Sequence, residues 1–483
     1  MSIRPRFVVV LLASALVSNL LAAQEPDATA AARPSLVFST YLGGSGRAQT
    51  RPIAVAVDAA GYIYVTGRTE ARDFPSVNAA QPRYGGGGND AFVIKLTPDG
   101  QRIVYATFLG GGDREWGEKI AADSTGHAYI AGTTYSRNFP TTSGAAQKKF
   151  GGGDRDGFVA KLAPDGTLMY VTLLGGNGTD RATAIAVDTD GAAYVAGSTN
   201  SKRLASVAAG TGATAAGDGW DVLVARVDAR GSAVDYAVRF GGTGDPAPPQ
   251  AGGIGAEGAT GIAIDSSGAL WVSGFTDQSE FPVRNGVASA APGQRDGFVA
   301  RLDPRSGAVH TSTFFGADRT FVTSIAADRS GGLYAAGTAD DDVVVVKLNA
   351  RDLTVGYRTR IRTRGRERAS GVAVDAFGRA HVIGTTSWRD FPSVNPLQQP
   401  GGDEDAFVMS LAPNGRSMEF STYLGGRVTD EAAGVSVDPS GALLVVGNTG
   451  YGDFAGFPLA RALQNERRNT TSQGFVSKIA VPR

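Results

Sequence analysis

Short runs rich in Val, Ile, Tyr, Phe and Thr alternate along nearly the whole chain with clusters of Gly, Asp and Pro, the pattern of strands separated by turns. The alternation is itself periodic. A motif Asp-x-x-Gly-x-x-aromatic-x-x-Gly opens at Asp58, Asp123, Asp188, Asp265, Asp328, Asp375 and Asp438, seven times in all. The aromatic position holds Tyr64, Tyr129, Tyr194, Trp271 and Tyr334, with His381 and Leu444 as departures. A second element, Asp90 to Leu96 followed by Thr97 to Gly100, recurs from Asp156, Asp221, Asp296, Asp342 and Asp405, and Gln473 opens its seventh copy. A third, Tyr105 to Gly111, recurs near Tyr170, Tyr236, His310, Tyr357 and Phe420, and its first copy is Phe38 to Gly44.

Each unit therefore predicts a four-stranded antiparallel sheet: strand A like Ile53 to Asp58, B like Tyr62 to Gly67, C like Ala91 to Leu96 and D like Ile103 to Leu109. The apolar runs are nearly continuous rather than alternating, so both faces of each sheet are expected to be buried. Radial repetition around an axis gives every sheet a neighbour on both faces, and an open solenoid would need polar caps that the sequence lacks. The expected fold is all-β, a seven-bladed β-propeller. The repeat starts on a D strand and ends on a C strand, so Phe38 to Leu42 is expected to pair with Phe475 to Ile479 and close the ring.

Ahead of the repeats, Arg4 and Arg6 precede an apolar stretch from Phe7 to Ala23, the layout of a secretory signal. We read 1–23 as a signal peptide, 24–35 as a short linker and 36–483 as the propeller, with an uncleaved anchor as the alternative. Beyond this stretch no run approaches the roughly 18 apolar residues of a membrane span. The expected location is secreted, periplasmic or cell surface. Charge adds an exclusion: 46 basic and 46 acidic residues cancel, so no global field favours nucleic acid. The chain has no cysteine, which removes disulfides and thiolate metal sites. Its 67 glycines suit many tight turns.

Several segments together resemble the bacterial seven-bladed β-propeller repeat family labelled SBBP. They are Ser39 to Gly44, the Asp-x-x-Gly-x-x-Tyr turn, a Phe-Pro loop (Phe74-Pro75, Phe139-Pro140, Phe281-Pro282, Phe391-Pro392, Phe457-Pro458) and Asp156 to Leu162. The resemblance runs from about residue 36 to the end and implies a propeller on a secreted or surface protein, with no agreed activity. Blade 5 departs from it, because Gly337 to Asp342 leaves no room for the Phe-Pro loop and Arg360 to Thr363 lack the double glycine. Blade 3 has Arg203-Leu204-Ala205 in place of Phe-Pro.

Candidate chemistry is sparse. The B-to-C loops run roughly 20 residues in six blades, longer than ordinary connections, which makes their face the expected binding surface. Eight residues before the repeat aspartate stand Glu115, Asp180, Glu257, Glu367 and Asp430, with Thr50 and Thr320 completing the set. These carboxylates could ring the channel mouth and hold a cation or a basic ligand group. Alternatively, they accept hydrogen bonds from loop amides or pair with Arg114, Arg181, Arg366 or Arg368. Trp116 and Trp388 lie on loop-face segments and suit sugar stacking, an aromatic contact, or packing. A cation five residues after the strand-C aspartate (Lys95, Lys161, Arg226, Arg301, Lys347, Lys478; Ser410 is the exception) reads as a structural ion pair.

Asp188 to Gly191 is similar to a calcium loop but lacks the later glutamate. His127, His310 and His381 are scattered, and no Gly-x-Ser-x-Gly stands in a strand-turn-helix setting. We therefore expect no catalytic residues, no metal and no cofactor. The expected function is a monomeric binding or scaffold module for a protein or carbohydrate partner, acting through the loop face. A polysaccharide-active lyase or hydrolase in the channel mouth is the alternative, and packing in a surface layer a third. Departures from the repeat rule are further places to look: the insertion Gly244 to Glu257 and the truncated loop at Asp340 to Asp342.

Overall fold

The computed structural model describes residues 33–204, 219–242, 257–278, 281–286, 296–315, 320–450, 456–468 and 471–481. The signal segment 1–23, all but the end of the 24–35 linker, and the insertion from Gly244 to the residue before Glu257 lie outside the described residues. Among the described residues, 28 strands form seven four-stranded antiparallel sheets, and none is helical. Blade 1 comprises strand A Thr50–Val57, B Ile63–Thr69, C Asp90–Leu96 and D Ile103–Leu109. The A strands of blades 2 to 7 are Glu115–Ala122, Asp180–Val187, Glu257–Ile264, Thr320–Ala327, Glu367–Val374 and Asp430–Val437.

The continuous apolar runs have the expected cause. Strands B and C sit mid-sheet with another blade against each face, so strands such as Ala128–Thr134 and Asp156–Leu162 are buried at every residue. Ring closure uses the expected strands, with Phe38 to Leu42 lying opposite Gly474 to Lys478, one residue from the expected span. Strand Ser35–Leu42 lies antiparallel to Gln473–Ala480, with Phe38 opposite Lys478, Tyr41 opposite Phe475 and Leu42 opposite Gly474. It supplies the D strand of blade 7, whose order is completed by Leu443–Thr449 and Asp430–Val437.

The long B-to-C loops are not free on one face. In blades 1, 2, 4, 6 and 7 the loop doubles back along the outer edge of its own blade and pairs with strand D. In blade 1 Ala106 N donates to Val77 O (2.7 Å) and Val77 N to Ala106 O (3.1 Å). Thr142 with Val171, Arg284 with Ser312, Val394 with Ser421 and Ala460 with Ser39 repeat this in blades 2, 4, 6 and 7. The Phe-Pro motif anchors the return: Phe74 packs on Phe92, Phe139 on Phe158, Phe281 on Phe298, Phe391 on Phe407 and Phe457 on Phe475, with centroids 4.4–4.7 Å apart. Four residues on, Asn78, Asn285 and Asn395 take φ of 45–49°, a left-handed turn that asparagine tolerates. Loop length thus goes into covering edge strands.

At the hairpin end of each blade the repeat aspartate organises the A-to-B turn. Asp58 Oδ1 accepts Ala60 N and Tyr62 N (both 2.9 Å), and Oδ2 accepts the Tyr64 hydroxyl (2.7 Å). That hydroxyl also lies 2.9 Å from Gly126 O of the next blade. The strand-C cation only partly forms the expected ion pair. Lys478, Arg226 and Lys347 reach Asp438, Asp188 and Asp328 at 2.7, 3.4 and 3.8 Å. Lys95 and Lys161 instead sit over the rings of Tyr64 and Tyr129, and Lys95 Nζ donates to Pro164 O of the next blade (3.1 Å).

The diverged blades compensate locally. In blade 6 Arg379 Nε (2.6 Å) and His381 Nε2 (3.2 Å) approach Asp375 Oδ2 in place of the tyrosine, and Ser410 replaces the cation and bonds His381 Nδ1 (2.7 Å). In blade 7, where Leu444 offers no donor, Lys478 takes the aspartate directly. Two outcomes test this construction. Tyr64→Phe leaves Asp58 Oδ2 and Gly126 O short of a donor and should cost about 1–3 kcal/mol in a denaturant titration. Deleting residues up to Leu42 exposes the apolar edge of strand C of blade 7 and should abolish cooperative thermal unfolding of the whole ring.

Candidate functional site

The A strands are innermost, and their first residues are the seven positions singled out in the sequence: Thr50, Glu115, Asp180, Glu257, Thr320, Glu367 and Asp430. All are buried, the five acids at 0% exposure. They do not open onto the channel mouth. Four of the five acids accept a backbone amide from the connection that precedes them: Gly111 N to Glu115 Oε2 (2.9 Å), Gly176 N to Asp180 Oδ2 (2.7 Å), Gly242 N to Glu257 Oε1 (3.0 Å) and Gly426 N to Asp430 Oδ2 (2.7 Å). A strand-B threonine hydroxyl completes several of them: Thr134 on Glu115 (2.7 Å), Thr276 on Glu257 (2.6 Å), Thr386 on Glu367 (3.1 Å), and Thr199 on Asp180. The loop-amide role thus holds for Glu115, Asp180, Glu257 and Asp430, while Glu367 is held by its threonine.

Each of these acids has a second carboxylate beside it, the opening aspartate of strand C in the preceding blade. That aspartate anchors the glycine-rich end of the B-to-C loop, with Gly85 N on Asp90 (2.6 Å) and Gly151 N on Asp156 (2.7 Å). The two acids flank the first residue of the double glycine, and a Cβ at Gly425 would lie 2.5 Å from Asp430 Oδ2 and 2.7 Å from Asp405 Oδ1. Burial, with the neighbouring carboxylate adding to it, pushes Asp90, Asp156, Glu257 and Asp430 up to about 7. At the seam between blades 7 and 1 the pair is Gln473 and Thr50, two neutral groups. Paired acids that share a proton are the raw material of general acid catalysis, but these are sealed from substrate.

The residue after the acid is the one that meets solvent in four blades, at Trp116, Arg181, Arg368 and Glu431, while Gly258 is buried. On an innermost strand flanked by blades, half-exposed side chains reach only the channel and its mouth. The second positions are Arg51, Trp116, Arg181, Gly258, Phe321, Arg368 and Glu431, and their strand-B partners include Arg68 and Phe275. They form three arcs. In blades 1 to 3, Arg68 lies over Trp116 at 4.8 Å and Arg181 at 5.9 Å, and Arg181 pairs with Glu118 (2.9 Å). Burial and then Arg51 hold Arg68 below its ordinary value, and burial does the same to Lys119. Arg51 Nε, Arg181 Nε and Trp116 Nε1 are buried with no hydrogen-bond partner among the described residues. In blades 4 and 5, Phe275 stacks on Phe321 at 5.0 Å. In blades 6 and 7 a cavity of about 350 Å³ is lined by Arg366, Arg368, Glu404 and Glu431.

Trp116 is thus held between guanidinium groups and edge-on to Tyr135 (5.9 Å), while Trp388 is 47% exposed on the loop of blade 6. The opposite mouth, on the hairpin face, is a cavity of about 590 Å³ lined by Asp58, Asp328, Asp375, Asp438 and the exposed Phe377. The Ser410, His381 and Asp375 chain has the order of a hydrolytic triad, but Ser410 and His381 are at 0% exposure. His127 pairs with Asp123 (3.0 Å) and His310 faces Asp303 (3.7 Å). Among the described residues no cluster of three or more His, Asp or Glu could hold a metal, and no helix is long and apolar enough to cross a membrane.

The carboxylate pairs carry a pH signature. Their folded values near 7 exceed the unfolded value near 4, so the folded form binds protons more tightly. The stability they contribute is complete below about pH 4 and lost as pH rises through 7. Asp375 and Asp438 are held below the usual range, chiefly by hydrogen bonds from His381 and Lys478 acting against burial, and act oppositely below pH 4. The thermal midpoint should therefore fall from pH 5 to pH 8. Asp430→Asn, which mimics the protonated acid, should raise it at pH 8 and leave it nearly unchanged at pH 5.

The profile of the beta-propeller repeat SBBP matches residues 37–75 and 170–204. No curated protein matches the chain. Among solved structures, a protein of unknown function from Dyadobacter fermentans aligns at 11% identity and TM-score 0.45, covering 93% of this chain and 99% of that one. The Dos1 propeller aligns at 11% and 0.42, covering 92% and 95%. A protein from Lactobacillus plantarum aligns at 12% and 0.45, covering 82% and 97%. The chain is a seven-bladed β-propeller that carries SBBP beta-propeller repeats.

Proposed function

We propose that the chain is an exported binding or scaffold module that engages a protein or glycan partner at its loop face, where the basic arc of the channel mouth takes an acidic group of the ligand. The observation that carries this reading is the charge of blades 1 to 3. Arg68 and Arg181 lie over Trp116, Arg51 stands opposite Arg68, Glu118 pairs with Arg181, and Glu70 lies near Arg68. A guanidinium fork matches a carboxylate or an ester oxyanion in two-point contact, and partial burial strengthens that contact. Export is supported by the Arg4, Arg6 and Phe7 to Ala23 pattern. A lyase or hydrolase would need an acid and a base open to the channel. The carboxylates with raised values are instead bonded to backbone amides at blade interfaces.

The test is a thermal-shift and calorimetric titration of residues 24–483 with polygalacturonate, against neutral dextran as control. The acidic polymer should raise the melting temperature in a salt-dependent way and dextran should not. Arg51→Gln should weaken that binding about tenfold while leaving the fold intact, since Arg51 has no ion-pair partner among the described residues. Equal shifts by both polymers, or binding indifferent to Arg51, would overturn the reading.

A further inference from the structure

Blade 5 is built differently on its outer rim. Its B-to-C connection is a two-residue turn, Asp340 and Asp341 at φ 48° and 65°, joining Gly332–Ala339 to Asp342–Asn349. Among the described residues no loop returns along strand D of this blade, Val355–Ile361. In blades 1, 2, 4, 6 and 7 the residue at one D-strand position pairs through its backbone with the loop: Ala106, Val171, Ser312, Ser421 and Ser39. The corresponding residue in blade 5, opposite Val346 as Ala106 is opposite Ile94, is Arg358. Its outward amide and carbonyl meet no other segment among the described residues.

The side chains changed with the edge. Other D strands are apolar and mostly buried, as in Ile103–Leu109. Here Arg358, Arg360, Arg362, Arg364, Arg366 and Arg368 occupy every second position, and Val355 is 58% exposed. Arg360 and Arg362 turn back to Asp342, at 2.5 and 3.5 Å, whereas Arg358 is exposed and forms no ion pair among the described residues.

We propose that this edge takes an extended acidic peptide segment of a partner protein as a fifth strand of blade 5. An open ladder supplies main-chain hydrogen bonds to an incoming strand, and alternate side chains set its specificity. With Arg360 held by Asp342 and Asp340, it is the exposed Arg358 that an acidic residue at the facing position of the incoming strand meets. A second copy of this chain is the wrong occupant, because antiparallel self-pairing would set arginine against arginine. A polyanion would use the arginines but leave the ladder unfilled. This surface is separate from the channel mouth.

The probe is a labelled seven-residue peptide alternating glutamate and valine, titrated by fluorescence anisotropy into residues 24–483 at low salt. The comparisons are the same peptide with alternate amides N-methylated, its lysine counterpart, and polygalacturonate as competitor. The glutamate peptide should bind, N-methylation should weaken it at least tenfold, and the lysine peptide should not bind. Arg358→Glu should weaken binding at least tenfold. Arg358→Pro, which removes the outward amide together with the guanidinium, should weaken binding at least as much as Arg358→Glu, with both variants melting as the parent does. No binding by the glutamate peptide overturns the proposal. So does equal binding after N-methylation, or competition by polygalacturonate without any amide dependence.

Discussion

A blade with two apolar faces has no stable existence alone, and every other feature of this protein follows from supplying it with neighbours. Seven copies arranged radially satisfy all faces only if the first and last meet. The pairing of Ser35–Leu42 with Gln473–Ala480 achieves this by drawing one blade from both ends of the chain. The ring then has two layers of fastening. At the hairpin end, aspartates such as Asp58 hold their own turn and, through Tyr64, contact the next blade. At the loop end, buried acids such as Glu115 and Asp430 hold the double-glycine connections.

The outer rim has its own solution to the edge problem. A radial sheet leaves strand D exposed, and the long B-to-C loops cover it while their phenylalanines dock on strand C. Blade 5, without such a loop, keeps its D strand soluble with arginine. That is a protective device in itself, because charge on an edge discourages indiscriminate pairing, and it also selects what can pair.

Blade number, strand order and closure were all legible in the repeat, because Asp58 to Gly67 and its copies encode a turn between two strands whose spacing leaves little freedom. Two features were not. The length of the B-to-C loops looked like exposed surface, yet Val77 and Val394 lie on strand D, a contact that no local pattern announces. The sequence left the acids at the head of strand A between the channel mouth and the loop amides, and period-two alternation sends Glu115 inward to the amides and Trp116 outward. The signal was present in the neighbouring column, where Arg51, Arg181 and Arg368 recur. Reading the column as a ring required knowing which face of an innermost strand is open.

The functional account therefore turns on which charges the solvent sees: arginines and Glu431 at the mouth, with the five repeat acids sealed beneath. Carbodiimide labelling of carboxyl groups in the native protein, mapped by mass spectrometry, tests this most directly. The account predicts that Glu404 and Glu431 are modified while Glu115, Asp180, Glu257, Glu367 and Asp430 stay unmodified until the chain unfolds. Native-state labelling of those five at the rate of Glu404 would contradict it and return the channel mouth to the acids.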